Sequence, residues 1–82
     1  MQQTQQIMKL RINGSAVRVI REALGIKAVD LAARAGINKA TLSHIERGAR
    51  QVSPMTLRRI ALGLGVPLES ISYPSLANAK AS

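Results

Sequence analysis

Eighty-two residues suffice for one domain built around one modest core. A single aromatic residue, Tyr73, and no cysteine make that core aliphatic, which favours packed helices over an aromatic-rich sheet, excludes disulfides and thiolate metal sites, and fits a reducing cytoplasm. Twelve Lys and Arg against four Asp and Glu give a formal net charge of +8, a field that attracts polyanions and makes nucleic acid and acidic membrane the partner classes to weigh.

Met1 to Gln6 is polar and Gln-rich, lacks periodicity, and reads as a tail without the basic-then-apolar pattern of a signal peptide. From Ile7 to Asn13 the pattern changes: Met8, Leu10 and Ile12 alternate with Lys9, Arg11 and Asn13, the period of a short strand. One such strand cannot stand alone. It can pair with the same segment of a second molecule, lie across the domain as an arm, enter beside a nucleic acid, or pack its apolar side on the domain as an ordered lead-in. Residues 1–13 are therefore expected to be an N-terminal tail and a basic arm or strand.

Asn13 is suited to cap a first helix from about Gly14 to Leu24, stopped by Gly25. Val17, Ile20 and Leu24 share one face of it, and Arg21 falls on that same face. A cation against the core requires an acid. A second helix, about Ala28 to Ala35, turns Leu31, Ala32 and Ala35 inward and ends at Gly36, whose freedom at positive φ suits a sharp turn that Ile37 plugs. Asn38 then caps a third helix, Lys39 to Arg47, which Gly48 ends.

On a helical wheel Lys39, Ala40, Ser43, His44 and Arg47 fill one sector, with Leu42 and Ile45 opposite. Glu46 lies at the edge of the buried side, the natural partner for Arg21. After a loop through Arg50, Gln51 and Val52, Ser53 and Pro54 open a fourth helix to about Leu64, with Leu57, Ile60, Ala61 and Leu64 inward. Arg58 and Arg59 face outward and read first as a solvated surface. Gly65 stops this helix, Pro67 opens a last short turn through Leu68 and Ile71, and Tyr73 and Pro74 are expected to end the ordered part. The expected division is thus one helical domain over 14–73 and a flexible tail over 74–82.

The ordered series Leu31-Ala32, Gly36-Ile37, Thr41-Leu42-Ser43 and Ile45-Glu46-Arg47-Gly48, followed by Leu57, Ile60-Ala61 and Leu64-Gly65-Val66, resembles the Cro and phage-repressor type, or Xre-like, helix-turn-helix family over about residues 14–72. The resemblance implies an all-α, compact, four- to five-helix lambda-repressor-like domain whose third helix lies in the DNA major groove. It implies base contacts from Lys39, Ala40, Ser43 and His44. Phosphate contacts are implied for Lys27, Ala28, Asn38, Thr41, Arg47 and Arg50 and for the loop N–H groups of Gln51 and Val52. Arg21 and Glu46 match a family ion pair between the first helix and the end of the recognition helix. One departure stands out: Lys27 and Ala28 occupy positions where the family has Ser or Thr followed by Gln, so the hydroxyl cap and the glutamine contacts are missing.

The function expected on these grounds is sequence-specific DNA-binding transcriptional regulation, as a repressor of the phage or mobile-element type, by a homodimer on a pseudo-palindromic operator in double-stranded DNA. The alternative is an antitoxin that also represses its own operon and binds a toxin partner. Enzymatic chemistry is disfavoured: adjacent on a helix, Ser43 and His44 point about 100° apart, with no acid or oxyanion glycine motif to complete a catalytic set. Membrane binding is disfavoured too, because the basic residues are spread over several helices instead of lining one amphipathic face, and no stretch approaches the roughly 18 apolar residues of a spanning helix. No cofactor or metal is expected from one His and four scattered acids.

Overall fold

The computed structural model describes residues 8–76. In chain order it contains strand β1 (Met8–Ile12), helices α1 (Gly14–Ala23), α2 (Ala28–Ala35), α3 (Lys39–Glu46) and α4 (Pro54–Leu64), a 3-10 turn (Leu68–Ile71) and strand β2 (Ser72–Leu76). The tail expected at 1–6, the first strand residue expected at Ile7, and residues 77–82 of the tail expected at 74–82 lie outside the described residues.

Three helices begin on side-chain caps that accept from an otherwise orphaned backbone N–H. Asn13 Oδ1 accepts from Ala16 N–H at 3.1 Å, Asn38 Oδ1 from Thr41 N–H at 2.7 Å, and Ser53 Oγ from Thr56 N–H at 3.2 Å, with Pro54 pre-set in the first turn of α4. The start of α2 is different: Lys27 makes no side-chain cap. The turn between α2 and α3 closes through Gly36 at φ 72°, in the left-handed region.

The buried centre is aliphatic. Val17, Leu31, Leu42, Ile45, Leu57, Ile60 and Ile71 are fully enclosed, so every helix contributes at least one side chain to the same cluster. At roughly 1.5–3 kcal/mol for each large aliphatic side chain taken from water, this burial is the main force holding four short helices together. Two glycines permit the closest approaches. A methyl group on Gly14 would fall on the Ile45 carbonyl, so α1 starts directly against the end of α3; one on Gly63 would come within 2.9 Å of Leu31 Cδ1, where α4 crosses α2. Arg34 secures that crossing by donating from Nη1 to Gly63 O at 2.8 Å.

Three details depart from the sequence reading. The first helix stops at Ala23, and Leu24, expected inward, is 54% exposed, because it already occupies the cap position where the chain turns away. The third helix ends at Glu46, with Arg47 as its cap. The larger difference is at the C-terminus: Ser72–Leu76, partly assigned to a tail, is a strand. It pairs antiparallel with β1 in the register Ile12↔Ser72, Arg11↔Tyr73, Leu10↔Pro74, and Asn13 N–H continues the ladder to Ile71 O at 2.8 Å. The strand partner of β1 is thus the chain's own end. Ile12 is buried beneath this ribbon, and its N–H donates to Gln51 Oε1 at 3.0 Å, tying the ribbon to the loop between α3 and α4.

Candidate nucleic-acid interface

The outward face of α3 follows from how its inward face is held. Leu42 and Ile45 are fully buried, so Lys39, Ala40 and His44 are left exposed along one side, while Ser43 is half-buried on the flank facing α1. Ser43 lines a small polar cleft together with Arg18, Arg21, Glu22, Glu46 and Arg47.

The same cleft contains the clamp on the far end of α3. Arg21 Nε donates to Glu46 Oε2 at 2.7 Å and Nη2 to Oε1 at 3.1 Å, a two-pronged pairing that fixes orientation as well as distance. Arg21 Nη1 also donates to Ile26 O at 2.9 Å, so the guanidinium joins three segments: α1, the turn after it, and α3. The two side chains are only 13% and 7% exposed. The hydrogen bonding of Arg21 to the Glu46 carboxylate raises the Arg21 pKa above its ordinary value, outweighing burial, which acts in the opposite direction. Glu22 is more distant, 4.0 Å from Arg21, and pairs with Arg18 at 3.2 Å on the exposed side of α1.

The other candidate residues fall on two flanks of α3. On the α2 side, Asp30 and Leu31 N–H both return to Lys27 O, which leaves the N–H groups of Ala28 and Val29 at the head of α2 beyond the helical ladder. Lys27 is exposed there and Ala28 half-buried. Asp30, exposed in the same first turn, brings a negative charge that the sequence reading did not weigh. Asn38 uses its amide oxygen for the cap, and Thr41 is half-buried just beyond it.

On the α4 side, Arg47 and Arg50 are exposed. Gln51 is exposed and its side-chain oxygen accepts from Ile12 N–H, which leaves its side-chain amide and backbone N–H as donors, whereas Val52 packs against the core and offers only its backbone N–H. Neither the Gln51 bond nor the Arg34 bond was visible in the sequence; each joins positions far apart in the chain, with no local pattern to signal it.

Lys39, Ala40 and His44 thus share the solvent-facing side of a helix held from behind by two apolar residues and an ion pair. Residues 17–71, more than half of the chain, match the helix-turn-helix family. The chain belongs to that family, in its Cro and phage-repressor branch. Among the relatives of this helix-turn-helix domain are an uncharacterized HTH-type transcriptional regulator of Mycobacterium bovis, 41% identical over 54 residues, 66% of this chain and 21% of the relative, and one of Bacillus subtilis, 37% identical over 59 residues, 71% of this chain and 42% of the relative. The chain thus spans about a fifth of the length of the mycobacterial relative.

Solved structures resemble the helix-turn-helix domain as well. The restriction-modification controller protein C.AhdI from Aeromonas hydrophila superposes with a TM-score of 0.67 at 28% identity, covering 70% of this chain and 86% of that one. The biofilm regulator SinR, solved in complex with DNA, gives 0.64 at 29% identity, covering 70% and 95%. The fold is lambda-repressor-like: four helices with a short two-stranded sheet added by the two ends of the chain. Among the described residues no helix is long and apolar enough to cross a membrane.

Proposed function

We propose that this domain is the DNA-reading part of a transcriptional regulator that works in the cytoplasm as a repressor, by occupying operator DNA. The observation that carries the reading is the exposure of Lys39, Ala40 and His44 on a helix whose back is fully buried at Leu42 and Ile45. In a major groove, the Lys39 ammonium suits guanine O6 and N7, the Ala40 methyl suits a thymine methyl, and His44 and Ser43 supply hydrogen-bonding groups. Lys27, the free N–H groups at Ala28, Asn38, Thr41, Arg47, Arg50 and the backbone of Gln51 and Val52 flank that face on both sides and fit phosphates. They orient the helix and the bases select the site.

One such domain reads few base pairs, so a homodimer on a pseudo-palindrome, with half-sites about 34–36 Å apart, supplies the remaining specificity. The names of the relatives, transcriptional regulators and a regulator crystallised with DNA, support the same reading. Selection of bound duplexes from random DNA tests it. The expected product is an inverted repeat bound with an affinity whose logarithm falls with log salt by about 0.9 for each phosphate neutralised. Bound duplexes sharing no sequence, or affinity indifferent to salt, would refute it.

A further inference from the structure

The ribbon formed by β1 and β2 has two outer edges, and they are not alike. Because Asn13 N–H bonds to Ile71 O across the ribbon while Ile12 N–H turns away to Gln51, the backbone groups of Arg11 and Lys9 face β2 and those of Leu10 face outward. Leu10 lies opposite Pro74. The same alternation points the Pro74 nitrogen off the far edge, where its missing N–H costs nothing and blocks further pairing. On the β1 side the edge is closed at Ile12 by the Gln51 amide but open at Leu10, which is 46% exposed. One edge is protected and the other is a template.

That open edge borders a groove of about 460 Å³ between β1, the α3–α4 loop and the start of α4. Its apolar lining comes from Leu10, Val52, Pro54, Leu57 and Leu68. Its charged lining residues, Lys9, Arg11 and Arg58, are all basic and exposed, with no acid among them. An apolar floor is a poor seat for a DNA phosphate, and an exposed backbone edge is of little use to a small ligand. A second copy of β1 fits no better: antiparallel pairing about Leu10 sets Lys9 opposite Arg11 of the copy, like charges facing directly.

The geometry points to an acidic, extended segment of a partner protein as the occupant, added as a third strand along β1. Its backbone pairs with Leu10, an apolar side chain enters the groove, and its carboxylates meet Lys9, Arg11 and Arg58. Strand addition accounts for three features at once: the open edge, the apolar floor and the uniformly basic border.

A displayed library of random short peptides, selected on the full chain without DNA, tests this independently of the regulator reading. The expected result is enrichment of peptides alternating acidic and apolar residues, with amide shifts on binding centred on Lys9–Arg11 and Val52–Leu57. Leu10→Pro, which removes the outward N–H at an edge position that tolerates proline, should weaken these peptides by about tenfold or more. Leu10→Ala, which keeps the N–H, should weaken them less. Should Leu10→Pro fail to fold by circular dichroism, the double charge reversal Lys9→Glu with Arg58→Glu replaces it, and loss of acidic peptides is again expected. Failure to enrich any peptide, enrichment without acidic bias, or binding indifferent to these variants would overturn the proposal. So would a sedimentation profile in which the free chain dimerises and Leu10→Pro abolishes the dimer, because the occupant would then be a second copy.

Discussion

Replacing Glu46 with alanine should destabilise the domain far more than a surface ion pair would suggest. The substitution removes both acceptors of the Arg21 fork, at 2.7 and 3.1 Å, from a guanidinium that is only 13% exposed. What remains for Arg21 is the Ile26 carbonyl and Glu22, which is 4.0 Å away and already paired with Arg18. Breaking a buried pair costs about 3–5 kcal/mol, because the surviving charge stays desolvated. The nearby polar cleft and Glu22 place this case near the lower figure. For a domain of this size about 3 kcal/mol corresponds to a fall in Tm of roughly 12–24 °C.

Thermal and urea unfolding of Glu46→Ala, Arg21→Met and the double variant, followed by circular dichroism, supply the cycle. The double variant should be more stable than the sum of the two losses predicts, since it leaves no orphan charge. Losses that simply add, within about 0.5 kcal/mol, would refute the pairing as a stabilising element. The raised Arg21 pKa adds a pH statement: its contribution is complete below the ordinary arginine range and fades only as pH rises through the elevated folded value, so stability should not titrate through this guanidinium anywhere near neutral pH.

Gly14→Ala would ordinarily stabilise a helix by about 0.5–1 kcal/mol. Here the added methyl meets the Ile45 carbonyl, so urea unfolding should report a loss of about 1–3 kcal/mol, and a gain in stability would contradict the tight approach of α1 to α3. Asp30→Asn removes the acid beside the free N–H groups of α2. Operator affinity should rise a few-fold at low salt and the gain should shrink as salt is added, while the helix itself loses about 0.3–1 kcal/mol. Fluorescence anisotropy with labelled operator DNA reads the first effect, and an unchanged affinity at low salt would remove the α2 terminus from the phosphate-binding surface.

What was legible in the sequence was whatever local periodicity and caps encode. Leu31, Ala32, Ala35, Leu42, Ile45, Leu57, Ile60, Ala61 and Leu64 all fall inward where their helical spacing puts them. The caps at Asn13, Asn38 and Ser53 start helices where their residue types suggest. Arg21 and Glu46 stand 25 residues apart, yet their helical positions pair them, since Arg21 lies on an apolar face where a lone charge is costly and Glu46 lies at the edge of the buried side of α3. Pro74 hid the second strand: proline inside a short run argues against a strand unless the position is an edge, and only the register opposite Leu10 supplies that. Gln51 and Arg34 were illegible for a related reason. Their partners, Ile12 N–H and Gly63 O, are backbone groups brought near by tertiary packing, and no side-chain pattern marks a backbone acceptor or donor in advance.

Whether α3 reads bases is tested most directly by selecting binding sites twice from the same random duplex pool, once with the wild-type chain and once with Lys39→Gln. The wild type should yield one consensus. The variant should yield that consensus with its preference relaxed or altered at a single position in each half-site, a change of about 1–3 kcal/mol there and little elsewhere. An unchanged consensus bound uniformly more weakly would make Lys39 a phosphate contact. A consensus unaffected by Lys39→Gln and, in turn, by Ala40 and His44 replacements would mean that the exposed face of α3 is not what selects the DNA.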